Sequence, residues 1–335
     1  MVKEKIIKYK ALELNKNGKL EIVEKKLSTS KPYAKMLYSG VCGTDKHAIQ
    51  GSLKLKLPQV MGHENVGIVE GKRVTWPTIL PCGKCNNCKQ GMFNVCEKDQ
   101  LFGITTQNPM AGGFAEYTPL PKNTILFEIP DDIDSDVAVL IETMASTKAL
   151  NRVDLKDKKI LIIGSGPIGM LSAIHAKSKG AKTIGITGHW EQVEIIKEIV
   201  DEFYKKNVPT KQIKSEYDIV MDAGGNPDSL EYSIKAVKPR GTVIESGCMV
   251  KDFYFDVSKM VKKELTMVTQ LGYIPEDFKW AIEMVRKNKE ILKKVITHKF
   301  KLEEFEKASD VMLNTKHGKV MFKISEEYSA EAKQN

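Results

Sequence analysis

Arginine is nearly missing from this chain of 335 residues: Arg73, Arg152, Arg240 and Arg286 are the only four among 52 basic residues. Planar recognition of phosphate and bases favours arginine, whereas lysine is a solvated point charge. A formal charge of +9 carried by lysines interleaved with glutamates therefore reads as a soluble surface, not a nucleic-acid patch. No apolar run approaches the ~18 residues that a membrane span needs. The N-terminal Met-Val-Lys-Glu-Lys-Ile-Ile-Lys lacks the apolar stretch of a secretory signal. These absences predict a soluble, cytoplasmic protein with no membrane or nucleic-acid partner. What is present suits an ordinary globular protein: with 41% apolar and 28% charged residues the chain can bury a core, which excludes disordered chains, collagen-like chains and small disulfide scaffolds. At roughly 100–200 residues per domain, the length predicts about two domains.

The first ~140 residues read as short strands and turns, with Ile6–Leu14 and Lys19–Val23 joined at Asn17-Gly18. Asp131–Asn151 reads as helical. Beyond it the texture changes. Strand candidates at Lys159–Ile163, Lys182–Ile186, Asp218–Asp222, Thr242–Ser246 and Leu265–Gln270 alternate with helical stretches. These stretches are Gly169–Ser178, Glu191–Lys206, Pro227–Lys238 and Pro275–Asn288. Such alternation predicts an α/β fold with a parallel, doubly wound sheet. The tail from Lys289 to Ile324 returns to mixed β texture and is expected to rejoin the first part. Tyr328–Asn335 reads as a frayed end.

Cys82, Cys85, Cys88 and Cys96 lie within fifteen residues. Without a secretion signal, close cysteines indicate metal rather than disulfides. Four thiolates close a tetrahedral zinc site with no open position, so this site is read as structural. Disulfides and an iron–sulfur cluster are the competing readings. Cys248 reads as a small buried hydrophobe.

The segment Leu161-Ile162-Ile163-Gly164-Ser165-Gly166-Pro167-Ile168-Gly169 runs from a strand into a helix. This Gly-x-Gly-x-x-Gly pattern turns tightly at Gly164, lets a pyrophosphate approach at Gly166 and packs helix on strand at Gly169. The helix N-terminus after Pro167 and Ile168 then offers free N–H groups to phosphate. An NAD site usually carries an acid at the end of the next strand, to bond the ribose 2′-hydroxyl. Here that strand ends Thr187-Gly188-His189, and no acid appears before Glu191. The three residues would not repel a 2′-phosphate, which points to NADP. NAD bound through its hydroxyls is the alternative.

Together these motifs resemble the zinc-containing medium-chain dehydrogenase/reductase family of alcohol, sorbitol, threonine and sugar dehydrogenases. The resemblance rests on Gly-Val-Cys-Gly-Thr-Asp at 40–45, Gly-His-Glu at 62–64, the cysteine lobe at 82–96, Gly-Gly-Phe-Ala-Glu-Tyr at 112–117, Glu142 and the glycine turn at 164–169. It implies a GroES-like β-rich catalytic domain over 1–145, a Rossmann domain over 146–288, and a return to the catalytic domain over 289–335. It also implies two zinc ions per chain. Cys42, His63 and Glu142 resemble the ligands of a catalytic zinc, and Glu64 resembles a second carboxylate that binds or approaches it. Asp45 resembles the group that orients the zinc-bound histidine, and Thr44 and His47 resemble a proton relay. The expected reaction is oxidation of an alcohol or polyol, reversibly, by hydride transfer to NADP. Relatives are homodimers or homotetramers, and the same is expected here. The segment around Glu142 reads Ile-Glu-Thr-Met-Ala where Glu-Pro-Leu-Ala is usual. The stretch from Trp190 to Asp218 is short, so the third Rossmann strand is expected to be abbreviated.

Two other readings within the enzyme class are an aldose 1-dehydrogenase and a threonine-type dehydrogenase. In the former, Glu116 and the Leu101–Gln107 loop would meet sugar hydroxyls. From outside the class, four cysteines and +9 suggest a zinc-ribbon nucleic-acid binder. That reading predicts arginines near the lobe, and none lies between 74 and 151. A cofactor-binding protein that has lost catalysis would have shed Cys42, Thr44, His47 or His63, and all are present. His175 reads as packing, His298 and His317 as exposed, and Trp76 as lining either the cleft or the core.

Overall fold

Strand Tyr33–Val41 is the spine of the N-terminal part. It pairs antiparallel with Glu64–Val69 on one side and with Lys319–Lys323, from the C-terminal tail, on the other. The tail therefore does rejoin the first part of the chain. Strand Ile296–Phe300 continues this sheet in parallel with Lys319–Lys323. The computed structural model describes residues 5–98, 100–104, 110–206, 215–247 and 256–326. Cys248, part of the Leu101–Gln107 loop and Tyr328–Asn335 lie outside the described residues.

The first hairpin differs from its sequence reading. Its strands are Ile6–Leu14 and Leu20–Ser28, with Leu14 opposite Leu20. Asn15 makes the turn by accepting the N–H groups of Asn17 and Lys19 at 2.9 and 3.0 Å. A side-chain Asx turn thus supplies what a two-residue turn at Asn17-Gly18 would otherwise need.

Six parallel strands form the second sheet, in the spatial order Glu202–Lys205, Thr183–Gly188, Lys159–Ile163, Tyr217–Asp222, Val237–Glu245, Thr266–Thr269. Strand Lys159–Ile163 explains why helices cover both faces. Ile160 and Ile162 pack with Met170 and Ile174 of helix Pro167–Ser178. Leu161 and Ile163 point the other way, towards Leu230 and Ile234 of helix Pro227–Ala236. Period-two alternation with both faces apolar is the signature of a doubly covered parallel sheet. The strand order reverses beside Lys159–Ile163, which places a crevice at its carboxyl end.

Two helical expectations fail in part. Glu191–Lys206 is not one helix: turns at Trp190–Val193 and Glu194–Ile196 give way to strand Glu202–Lys205. Asp201 is the reason. It bonds Ile184 with both its backbone N–H and its side chain, at 2.9 and 2.8 Å, and so starts the pairing of Gly185 with Glu202. Sheet pairing overrides the helical pattern, and the third parallel strand is four residues long. Asp131–Asn151 is likewise divided into Ser135–Ala138, Leu140–Ala145 and the 3-10 turn Lys148–Arg152.

Trp76 is fully buried beside Phe102, so it fills core rather than cleft. His298 and His317 are half-buried, not exposed.

Candidate active site

Cys42 caps the N-terminus of helix Gly43–Ile49, directly after the spine strand. Asp45, in the first turn of this helix, accepts the Cys42 N–H through Oδ2 at 2.8 Å. Its other oxygen, Oδ1, faces His63 Nδ1 at 3.6 Å. His63 precedes strand Glu64–Val69, and the register places Glu64 opposite Gly40. A side chain at 40 would displace this carboxylate, because a Cβ there would lie 1.9 Å from Glu64 Oε2 and 2.7 Å from Val139 Cγ1. The adjacent strands thus deliver Cys42, His63 and Glu64 to one point, with their ligand atoms all within 4.8 Å of one another.

Both carboxylates near this point have holders. Lys319, buried on the returning C-terminal strand, places Nζ 2.5 and 2.7 Å from the Glu64 oxygens. Thr143 donates to Glu64 Oε1 at 3.2 Å. Glu142 is not within the 4.8 Å group. Its Oε1 lies 2.8 Å from the Tyr273 hydroxyl and 3.2 Å from the Thr78 hydroxyl. Burial and the Glu64 charge push its carboxyl above the usual range. Burial opposes charge on His63 and Lys319 too. Nearby Asp45 and Cys42 outweigh it at His63, and Glu64 and Cys42 at Lys319, so both bases are raised.

These residues fit a zinc ion. His63 Nδ1 and Asp45 Oδ1 are buried and lack hydrogen-bond partners, so Nδ1 faces a carboxylate and Nε2 is left for a metal. A carboxylate behind a ligating histidine fixes its tautomer and raises its basicity. Thiolate, imidazole and carboxylate are the donor types of open zinc sites.

Thr44 and His47 follow on the same helix, three residues apart and so on one face. Thr44 Oγ1 is 3.6 Å from Cys42 Sγ. His47 Nδ1 is 3.1 Å from Ser52 Oγ, and both Thr44 and His47 are half-buried. Burial and the neighbouring Lys46 hold His47 below its ordinary value.

The four-cysteine lobe is a second cluster, with all four sulfurs within 4.8 Å of one another. Backbone N–H groups point into it: Cys82 N to Cys96 Sγ at 3.3 Å, and Cys85 N, Cys88 N and Lys98 N to sulfurs at 3.4 Å. Such donors favour thiolates, and backbone bonds lower Cys82 to about 6. Burial pushes Cys88 up to about 12. Four sulfurs so gathered, with backbone N–H groups aimed at them, fit a closed zinc site.

The glycine turn occupies the crevice. Gly164 has φ +106°, and a Cβ on Gly169 would lie 1.9 Å from Gly164 O, so helix and turn are in direct contact. Ser165 donates to Gln192 Oε1 at 2.7 Å and accepts the His189 N–H at 3.0 Å. Gln192 in turn donates to His317 O at 2.7 Å, which ties the crevice to the C-terminal tail. Burial and the charges of Lys316, Lys206 and Lys205 lower His189. Positive charge at this corner comes from Lys316, Lys206 and Lys205. Lys206 sits here because its N–H bonds Gly188 O at 2.7 Å.

Other residues have bland roles. His175 is buried between Thr147 Oγ1 at 2.9 Å and Asn151 Oδ1 at 3.1 Å, and is packing as expected. Glu116 accepts the Lys10 N–H at 2.7 Å. Sequence reading missed Lys319, Tyr273 and Thr78. Only Lys319 left a signal, a lysine among the buried residues of Lys319–Lys323.

Comparison with known proteins places this geometry. A model of the alcohol dehydrogenase GroES-like domain matches residues 33–131, and a model of the glucose dehydrogenase C-terminus matches 135–321. A sorbitol dehydrogenase of Halalkalibacterium halodurans is 28% identical over 82% of this chain and 86% of its own. An L-threonine 3-dehydrogenase of Pyrococcus furiosus is 29% identical over 87% and 90%. The crystal structure of a zinc-binding dehydrogenase from Sinorhizobium meliloti, bound to NADP, superposes with a TM-score of 0.85 at 22% identity. It covers 94% of this chain and 99% of that one, and at such identity the likeness is one of fold.

Proposed function

The chain belongs to the zinc-containing medium-chain dehydrogenase/reductase family and is an oxidoreductase acting on CH–OH groups, and from that premise we propose that it oxidises an alcohol or polyol, reversibly, with NADP preferred and two zinc ions per chain. The observation that carries the reading is the convergence of Cys42, His63 and Glu64, with Glu142 beside them. When bound, zinc polarises the substrate oxygen as a Lewis acid, and the nicotinamide accepts the hydride.

The chain's own groups do the rest. Cys42 and His63 hold the zinc, and Glu142 and Glu64 are the carboxylates available to complete its shell. Asp45 orients the His63 ring. Thr44 takes the hydroxyl proton and His47 passes it to solvent. With its pKa held below the ordinary 6.5, His47 is mostly neutral at pH 7 and has a lone pair to accept that proton. Gly164, Gly166, Pro167, Ile168 and Gly169 cradle the pyrophosphate. Thr187, Gly188 and His189 receive the adenosine ribose. Support for NADP is the lack of an acid at the end of strand Thr183–Gly188 together with Lys205, Lys206 and Lys316, which outnumber Glu191 around His189. Cys82, Cys85, Cys88 and Cys96 hold the second zinc as a structural staple.

One observation favours an aldose 1-dehydrogenase as the second reading: the matching C-terminal family model is that of glucose dehydrogenase. No helix among the described residues is long and apolar enough to cross a membrane, in keeping with a cytoplasmic place. Among the described residues strand Thr266–Thr269 is the last of its sheet, and an edge strand suits assembly as a homodimer or homotetramer.

The test is initial rates with NADP and NAD, crossed with simple alcohols, polyols, threonine and aldoses, with and without a chelator. Chelator-sensitive turnover of an alcohol or polyol, faster with NADP, is expected. Turnover of aldoses alone establishes the second reading. Faster turnover with NAD overturns the cofactor preference.

A further inference from the structure

We propose that Tyr273 is a positioning residue for Glu142: its phenol holds one carboxylate oxygen across the active-site cleft and thereby sets how Glu142 meets the catalytic metal. The proposal rests on the reading of Glu142 as a zinc ligand and deepens it.

Tyr273 lies between strand Thr266–Thr269, the edge of the parallel sheet, and helix Pro275–Lys287. Glu142 belongs to helix Leu140–Ala145, and Thr78 to the loop that precedes the cysteine lobe. These three residues are far apart in sequence and meet only in the fold. Tyr273 Oη lies 2.8 Å from Glu142 Oε1, 2.8 Å from Thr78 Oγ1, and accepts the Thr78 N–H at 3.0 Å. All three residues are buried. The phenol has one proton, and a carboxylate is a stronger acceptor than a hydroxyl. The proton therefore goes to Glu142. Thr78 fixes the phenol from the other side and also approaches the His63 carbonyl at 3.3 Å.

With Oε1 held in this way, Oε2 is the oxygen left for a metal. Groups that bond a ligating side chain from behind orient it and tune its donor strength. Packing does not require the hydroxyl, since the Tyr273 ring already rests on Phe278 with centroids 5.1 Å apart. Y273F therefore removes the bond and keeps the ring.

The experiment loads wild type, Y273F, E142Q and the double variant with Co²⁺ in place of zinc. Visible absorption bands and the rate of metal release to a chelator are read, and thermal unfolding checks that each variant folds. The cysteine lobe contributes the same bands to all four proteins. Y273F is expected to shift the bands of the catalytic site and to speed metal release about tenfold or more. In the double variant, Y273F is expected to add nothing to E142Q. If E142Q shifts the bands and Y273F leaves bands and release as in wild type, Tyr273 has no hold on the ligand and the proposal falls alone. If E142Q itself behaves as wild type, Glu142 is no ligand, and the proposal falls with that reading.

Discussion

Lys319 and Glu64 form a buried ion pair, with Nζ 2.5 and 2.7 Å from the two carboxylate oxygens, between the returning C-terminal strand and the strand that follows His63. The pair neutralises a carboxylate beside Cys42 and His63, and it fastens the last strand to the metal-site end of the sheet. Removing one partner of such a pair leaves an uncompensated charge in the interior, at a cost of about 3–5 kcal/mol. K319M is accordingly expected to lower unfolding free energy in urea by that much. K319M/E64Q is expected to recover most of it. A loss under about 1 kcal/mol for K319M would show that water reaches the pair.

As the proposed relay base, His47 is expected to govern the acid side of the rate profile. Its pKa is lowered by burial and by Lys46, so it remains an acceptor down to a pH below 6.5. Alcohol oxidation should fall off only below that pH in wild type. H47Q is expected to slow oxidation near neutrality by about 100-fold, the low end of acid–base effects. It should also lose the acid limb. An unchanged profile in H47Q rules the residue out of the relay.

Three lysines are expected to separate the two cofactors. K205A, K206A and K316A each remove a charge near His189. At exposed positions each charge contributes about 0.2–1 kcal/mol, and salt weakens it. The KM for NADP should rise a few-fold with each substitution and lose its salt dependence in the triple variant. The KM for NAD should stay constant. Equal effects on both cofactors would mean that these lysines do not meet the 2′-phosphate.

Metal removal at the lobe should cost stability rather than chemistry. C88S takes one sulfur from the closed cluster. Zinc content is expected to fall from two ions to one per chain and the melting temperature to drop, while folded enzyme keeps its KM. Retention of both ions would exclude the lobe as a metal site.

His175 makes acid destabilising. Burial holds it neutral and lowers its pKa to about 3, whereas the unfolded chain protonates near 6.5. The unfolded state therefore binds the extra proton between those values. This contribution to stability is complete above about pH 6.5 and is lost progressively as pH falls towards 3. H175Q should flatten the fall in melting temperature between pH 6.5 and 4, a comparison made by calorimetry. An equally steep fall in H175Q would assign the acid sensitivity elsewhere.

The four-cysteine lobe and the glycine turn were legible because each is local: four cysteines within fifteen residues, and six residues linking a strand to a helix. Chain connectivity alone keeps such groups close. The dispersed set was recognised only through family likeness, since Cys42 and His63 are 21 positions apart in the chain. The third parallel strand is abbreviated as expected, but the helix read over Glu191–Lys206 was wrong at its end, because Asp201 and the neighbouring strand, not local periodicity, decide the conformation of 202–205.

The sequence by itself determined most element types, the glycine- and cysteine-bearing motifs and the absence of an acid at the end of strand Thr183–Gly188, because each depends on residues a few positions apart. Only the tertiary structure decided which carboxylate is held and by what. Lys319 reaches Glu64 across 255 positions, and Tyr273 reaches Glu142 across 131. Contacts at such separations leave no periodicity to read. They exist because sheet register and a returning strand bring buried charges and hydroxyls close enough that each must find a partner or be costly to keep.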